Sequence, residues 1–190
     1  MSSEGTPADQ WACTAAVLEE TPDAAVVANL GTAAYVLAGV DDRARNFYCW
    51  GSMGVTTPIG LGVAMGTDDP VAVLDGDGST LMSLGALSTV AEAGPANLVV
   101  VIFDNAAYAT TGGQPTREGP TDFAAVAADL GLAAWDVDTD AAFADAYAEA
   151  VAHDGPAVVA CSVAAIDPEA RPPLDFAHVK RRFRDAVAGD

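Results

Sequence analysis

The chain has 190 residues, 51% of them apolar, enough for one domain with a sizeable core. Its 27 acidic residues face 8 basic ones, and the formal net charge of −19 excludes direct nucleic-acid binding through phosphate contacts. Its apolar runs are short and broken by Gly, Asp or Pro, far from the about 20 residues of a membrane span, so no membrane partner is expected.

Residues 1–10 are polar and carry no secretory pattern, which predicts a loose tail on a cytoplasmic protein. A helix follows over 10–20. The apolar run 24–30 reads as a strand ending at Gly31-Thr32. A second strand, 46–50, runs into Gly51-Ser52-Met53-Gly54 and then a helix carrying Pro58, Gly60, Gly62 and Gly66. Those glycines hint at a dinucleotide fingerprint, but they lie inside the helix instead of opening it. A third strand, 70–74, hands over to Asp75-Gly76-Asp77-Gly78-Ser79. Leu81, Leu84, Leu87 and Ala91 then give helical spacing over 79–93, closed by Gly94-Pro95.

The run 97–103 (NLVVVIF) is continuous and β-branched, fit for a strand covered on both faces. It ends at Asp104-Asn105. Helix 122–130, strand 133–137, helix 140–152 with Phe143, Tyr147 and Val151 on one face, and strand 157–163 complete a domain over 11–165. A linker and an amphipathic helix fill 166–190. Phe176, Val179, Phe183 and Val187 share its face, and Lys180, Arg181, Arg182 and Arg184 hold half of all positive charge. This is a solvated face offsetting local acidity or a docking helix for a neighbouring subunit. The alternation predicts an α/β fold, a mostly parallel sheet flanked by helices on both faces. Ligands of such sheets bind at the carboxyl ends of the strands.

The acids are spread along the chain, 20 Asp and 7 Glu, and Lys180 is the single lysine. Such a chain repels itself in dilute buffer, and molar salt, with a Debye length of about 3 Å, removes most of that repulsion. The charge therefore reads as adaptation to a salt-loaded cytosol, as in halophilic archaea. A nucleic-acid mimic would need a patterned stripe, and none is evident. Cys13, Cys49 and Cys161 are isolated and read as buried apolar residues. His153 and His178 have no recognisable nucleophile nearby, and GxSxG is absent.

The strand ends carry the chemistry. Asp77 alone could cap a helix. Its flanking glycines suggest close approach to the backbone, and a phosphate there could share a Mg²⁺ ion with the carboxylate. Asp104-Asn105, one helix and one strand later, can add an amide oxygen, although such a pair by itself is usually a turn. Met53 alone would be core filling. Thr111-Gly112-Gly113-Gln114 alone would be a Gly-rich turn.

Together, Gly76-Asp77-Gly78-Ser79 and the later Asp104-Asn105-Ala106-Ala107-Tyr108 resemble the diphosphate and Mg²⁺ motif of thiamine diphosphate enzymes, in which the second turn is usually Asn-Asn. With Asn46-Phe47-Tyr48 leading into Gly51 to Gly54, and with Thr111 to Gln114, the likeness is to the sulfopyruvate and phosphonopyruvate decarboxylase family and covers roughly residues 20–165. The resemblance implies thiamine diphosphate and Mg²⁺ as cofactors. Asp77, Asn105 and the Ala107 carbonyl would bind the metal. Gly76, Gly78, Ser79 and Tyr108 would border the diphosphate. Met53 would wedge the cofactor, and Gly51, beside Ser52, would face its aminopyrimidine. Thr111, Gly112, Gly113, Gln114 and Arg117 would lie toward a small anionic 2-oxo acid. The role of Asp104 stays open. The resemblance further implies an α-type subunit carrying the pyrimidine-binding domain and the activating glutamate, hence a hetero-oligomer. Sulfopyruvate is the first substrate expected and phosphonopyruvate the alternative. A non-catalytic binding or scaffold protein retaining the fold is the reading of another class.

Overall fold

The computed structural model describes residues 7–117 and 119–189; the expectation of a loose tail lies, for residues 1–6, outside them. The rest of that expected tail belongs to the fold. Ala8 bridges to Val163 and is buried, and the Asp9 carboxylate accepts from the Trp11 N–H to start α1 (Gln10–Glu20). There follow β1 (Ala25–Ala28), α2 (Thr32–Val40), β2 (Asn46–Tyr48), α3 (Thr56–Ala64), β3 (Val71–Gly76), α4 (Asp77–Met82), α5 (Ala86–Ala93) and β4 (Leu98–Asp104). A two-stranded hairpin, β5 (Ala107–Tyr108) with β6 (Gln114–Pro115), precedes α6 (Phe123–Asp129), β7 (Ala133–Val137), α7 (Asp140–Val151), β8 (Ala157–Ser162) and α8 (Phe176–Ala188).

Six strands form one parallel sheet in the order β2-β1-β3-β4-β8-β7. β4 shows why the apolar runs are continuous. Val99, Val101 and Phe103 pack with Leu37, Phe143 and Tyr147 on one face, while Val100 and Ile102 pack with Leu87, Phe123 and Phe183 on the other. Each such side chain removed from water contributes about 1.5–3 kcal/mol. β3 and β4 lie adjacent in register, with Gly76 opposite Phe103. The turns after them therefore open side by side at one edge.

Three departures from the sequence reading have local causes. The helix expected over 79–93 is two helices, α4 and α5. Asp77 begins the first, and Ser83-Leu84-Gly85, containing two weak helix formers, separates them. The segment after Gly31, read only as a turn, forms α2. α3 ends at Ala64, so Gly66 lies beyond it, and Gly60 serves packing: a Cβ there would stand 2.0 Å from Val73 Cγ2. At the C-terminus, α8 folds back onto β2. Val179 and Phe183 are buried, the Phe47 and Phe183 rings lie 5.4 Å apart, and Arg182 pairs with Asp42, while Phe176 is exposed. All three cysteines are free and buried. No described helix is long and apolar enough to cross a membrane.

Candidate cofactor site

The turn after β3 is built into the core. Asp75 is fully buried. Its carboxylate accepts from the Gly76 N–H at 2.9 Å and from the Thr57 hydroxyl at 3.3 Å. Burial pushes its carboxyl up to about 6. Asp77, two residues on and also buried, opens α4. Burial raises this carboxyl too, against the pull of the Thr116 hydroxyl bonded to it. The Ser79 hydroxyl accepts from the Gly54 N–H at 2.9 Å, which fastens the Gly51 to Gly54 segment to this turn.

The turn after β4 faces it. The Asp104 carboxylate accepts from the Ala106 N–H at 3.0 Å, and the Asn105 side-chain oxygen from the Ala107 N–H at 2.9 Å. These two Asx-type bonds hold Ala106 at φ 55°, a left-handed conformation that costs a non-glycine residue about 1–2 kcal/mol. The hairpin then returns over α4. A Cβ on Gly78 would stand 2.5 Å from the Tyr108 ring and 2.9 Å from Thr116 Cγ2, so only glycine fits beneath them. Asp77 Oδ2 accepts from the Thr116 hydroxyl at 2.5 Å and from Arg117 at 2.8 Å. The other arm of Arg117 binds Asp104 at 2.5 Å. Hydrogen bonding to Asp104 holds the Arg117 guanidinium more firmly protonated than usual.

A cavity of about 70 Å³ lies between the two turns. Met53, Gly76, Asp77, Gly78, Ser79, Asn105, Ala107, Tyr108 and Thr111 all border it. Gly51 and Ser52 do not. They line a separate apolar groove with Trp50 and Phe176. Gly112, Gly113 and Gln114 form the exposed hairpin tip. Arg117 stands behind the cavity with its charge taken up by two carboxylates. Gln10, Asn29 and Thr32 also border the cavity, and sequence reasoning missed all three as site residues.

Among the described residues no three His, Cys, Asp or Glu cluster as metal ligands. Asp77, Asn105 and Ala107 border one cavity and carry a carboxylate, an amide oxygen and a backbone carbonyl. All are hard oxygens. They fit Mg²⁺, which takes few protein ligands and fills its octahedron from phosphate and water. Gly76 and Gly78 both border the cavity, and beside Gly76 only the Asn29 amide comes within 4 Å of where a Cβ would stand, which leaves that backbone open to such a phosphate.

Residues 29–161 match the family model of the C-terminal TPP-binding domain of thiamine pyrophosphate enzymes. The chain belongs to that family. It is 44% identical over 175 residues to a phosphonopyruvate decarboxylase of Streptomyces viridochromogenes, covering 90% of this chain and 44% of that protein. It is 34% identical over 173 residues to a sulfopyruvate decarboxylase subunit beta of Methanococcus maripaludis, covering 90% and 93% respectively. The chain thus spans about half the length of the phosphonopyruvate decarboxylases that it matches. Among solved structures, a thiamine diphosphate-dependent 4-hydroxybenzoylformate decarboxylase of Rhodococcus jostii superposes with a TM-score of 0.72 at 22% identity, covering 87% of this chain and 34% of that one, a likeness of fold. In this TPP-binding domain the family match begins at Asn29 and takes in both turns and the hairpin. It leaves out α1, and with it Gln10.

Proposed function

We propose that this chain is the thiamine diphosphate- and Mg²⁺-binding subunit of a 2-oxo acid decarboxylase that converts sulfopyruvate to sulfoacetaldehyde and CO₂. The observation that carries this is that Asp77, Asn105 and Ala107 border one cavity together with Gly76 and Gly78, inside the stretch that matches the family. Asp77 and Asn105 would hold the metal with the Ala107 carbonyl. Gly78 and Ser79 would present backbone to the diphosphate, and Met53 would support the ring system above. When bound, the cofactor supplies the electron sink for the leaving carboxylate. The chain's own part is to bind, orient and shield. Tyr108 and Thr116 cover the turn from water. Of the hairpin residues expected toward the substrate, Thr111 borders the cavity, while Arg117 is engaged by Asp77 and Asp104.

The activating glutamate and most contacts to the substrate anion belong, on this reading, to an α-type partner chain with a pyrimidine-binding domain. Alignment over 93% of a beta subunit supports that arrangement. The 44% identity to phosphonopyruvate decarboxylase supports the alternative substrate. CO₂ release by the co-expressed pair, measured with both substrates in high salt, decides between them. Faster turnover of sulfopyruvate is expected. Preference for phosphonopyruvate would reassign the substrate, and failure of the pair to bind Mg²⁺ with thiamine diphosphate would sink the reading.

A further inference from the structure

Helix α1 buries one face, made of Gln10, Cys13, Thr14 and Val17. Two of these four residues are polar. Gln10 is 2% exposed, and neither atom of its carboxamide has a hydrogen-bond partner. A buried amide without partners is destabilising, and a leucine of similar size would not be. Asp9 caps this helix and also binds Asp140 through its own N–H, so the first turn that carries Gln10 is fastened at two points.

Gln10 is not sealed in an apolar core. It borders the same cavity as Asp77 and Asn105. Beside it stand Asn29 and the first turn of α2, Thr32 and Ala33. The Asn29 side-chain oxygen accepts from the Thr56 hydroxyl at 3.2 Å, and its Nδ2 faces Gly76, 3.8 Å from where a Cβ on that glycine would be. The cavity lining is therefore mixed. Asp77 brings a carboxylate, clasped to the hairpin, and Gln10 and Asn29 bring neutral side-chain amides. Asp75 also borders the cavity, but its carboxylate is engaged by Thr57 and Gly76. A carboxylate suits a cation, and an amide N–H suits the phosphate oxygens that accompany it.

We infer that Gln10 is a further binding residue of this site, donating its Nε2–H to the cation-bound diphosphate from the α1 side. The inference rests on the cofactor reading and adds to it an element outside the matched family stretch. It also accounts for part of the cost of the residue at position 10, because the ligand satisfies the amide N–H that the protein leaves alone. The neighbouring Thr14 is equally buried and unpartnered but does not border the cavity, which makes it the control.

The test uses the co-expressed pair in high salt, with magnesium pyrophosphate and Mg²⁺–thiamine diphosphate as probes by calorimetry and Mn²⁺ alone by electron paramagnetic resonance. Gln10→Leu is expected to weaken magnesium pyrophosphate about tenfold, to leave Mn²⁺ binding unchanged, and to melt at or above the wild-type temperature. Gln10→Glu should weaken the anion at least as much, through like charge, and Thr14→Val should leave it unchanged. Wild-type affinity in Gln10→Leu overturns the inference. If that variant is unstable, Gln10→Met, closest in shape, decides on the same criterion. A wild-type pair that binds neither probe overturns the cofactor reading itself. A wild-type pair that binds both, with variants equal to it, overturns Gln10 alone.

Discussion

The turn after β3 and the hairpin after β4 meet at one edge of the sheet and are held in opposite ways. Residues 75–80 are buried apart from a half-buried Gly76, and their bonds run to the neighbouring core elements through Thr57 and Gly54. The hairpin has strands of two residues each, and its tip is exposed. It is clasped to the turn by Thr116 and by Arg117, whose ion pairs bridge Asp77 and Asp104. One region takes its geometry from packing, the other from a few polar contacts made across the cavity. The half of the site proposed to hold the metal is thus shaped by packing, while its cover depends on a carboxylate, Asp77, that a cation would also claim.

Removing that carboxylate should have the largest effect. Asp77→Ala is expected to weaken Mg²⁺-dependent binding of thiamine diphosphate at least 100-fold, about 3 kcal/mol, measured by calorimetry. Affinity within threefold of wild type would mean that the turn is not where the metal binds.

Asp75 tests the buried side of the comparison. Its carboxyl is raised from 3.8 to about 6, so the folded state holds the proton more tightly than the unfolded chain does. The stability this brings is complete below about pH 4 and is lost as the pH rises through about 6. In chelator, urea unfolding of Asp75→Asn should be flatter across that window than wild type by about 2–3 kcal/mol. Parallel curves would show that Asp75 does not titrate there.

Gly78 joins the two regions. Gly78→Ala puts a methyl group against Tyr108 and Thr116, which should cost about 1–3 kcal/mol and make the hairpin tip easier to cleave with protease. A variant with wild-type stability and cleavage would place the hairpin elsewhere in solution.

The smallest effect concerns the clasp. A cation and Arg117 compete for Asp77, so Arg117→Gln should tighten Mn²⁺ binding to the ligand-free chain about threefold, near 0.7 kcal/mol. Weaker binding would mean instead that Arg117 orients the carboxylate for the metal.

Most of the sheet was legible in the sequence because strands buried on both faces must be continuous apolar runs. The 97–103 run and the observed β4 differ by one residue at each end. Asp77 and Asn105 could be singled out because their neighbours, Gly76, Gly78 and Tyr108, form a local pattern. α2 was missed because its run of small residues lacks a polar face at helical spacing. The hairpin was missed because two-residue strands leave no periodicity to read.

By itself, then, the sequence determined the layered α/β class, the two turns that meet at the carboxyl edge and the oxygen-donor chemistry they carry. These follow from local pattern: burial demands apolar runs, and close approach demands glycine. Only the tertiary structure decided which residues share a cavity. It drew in Gln10 and Asn29, moved Gly51 and Ser52 to a separate groove, and turned Arg117 onto Asp77 and Asp104. Such neighbours lie up to 101 positions apart, as Gln10 and Thr111 do, and are brought together by the order in which parallel strands assemble, which no local spacing records.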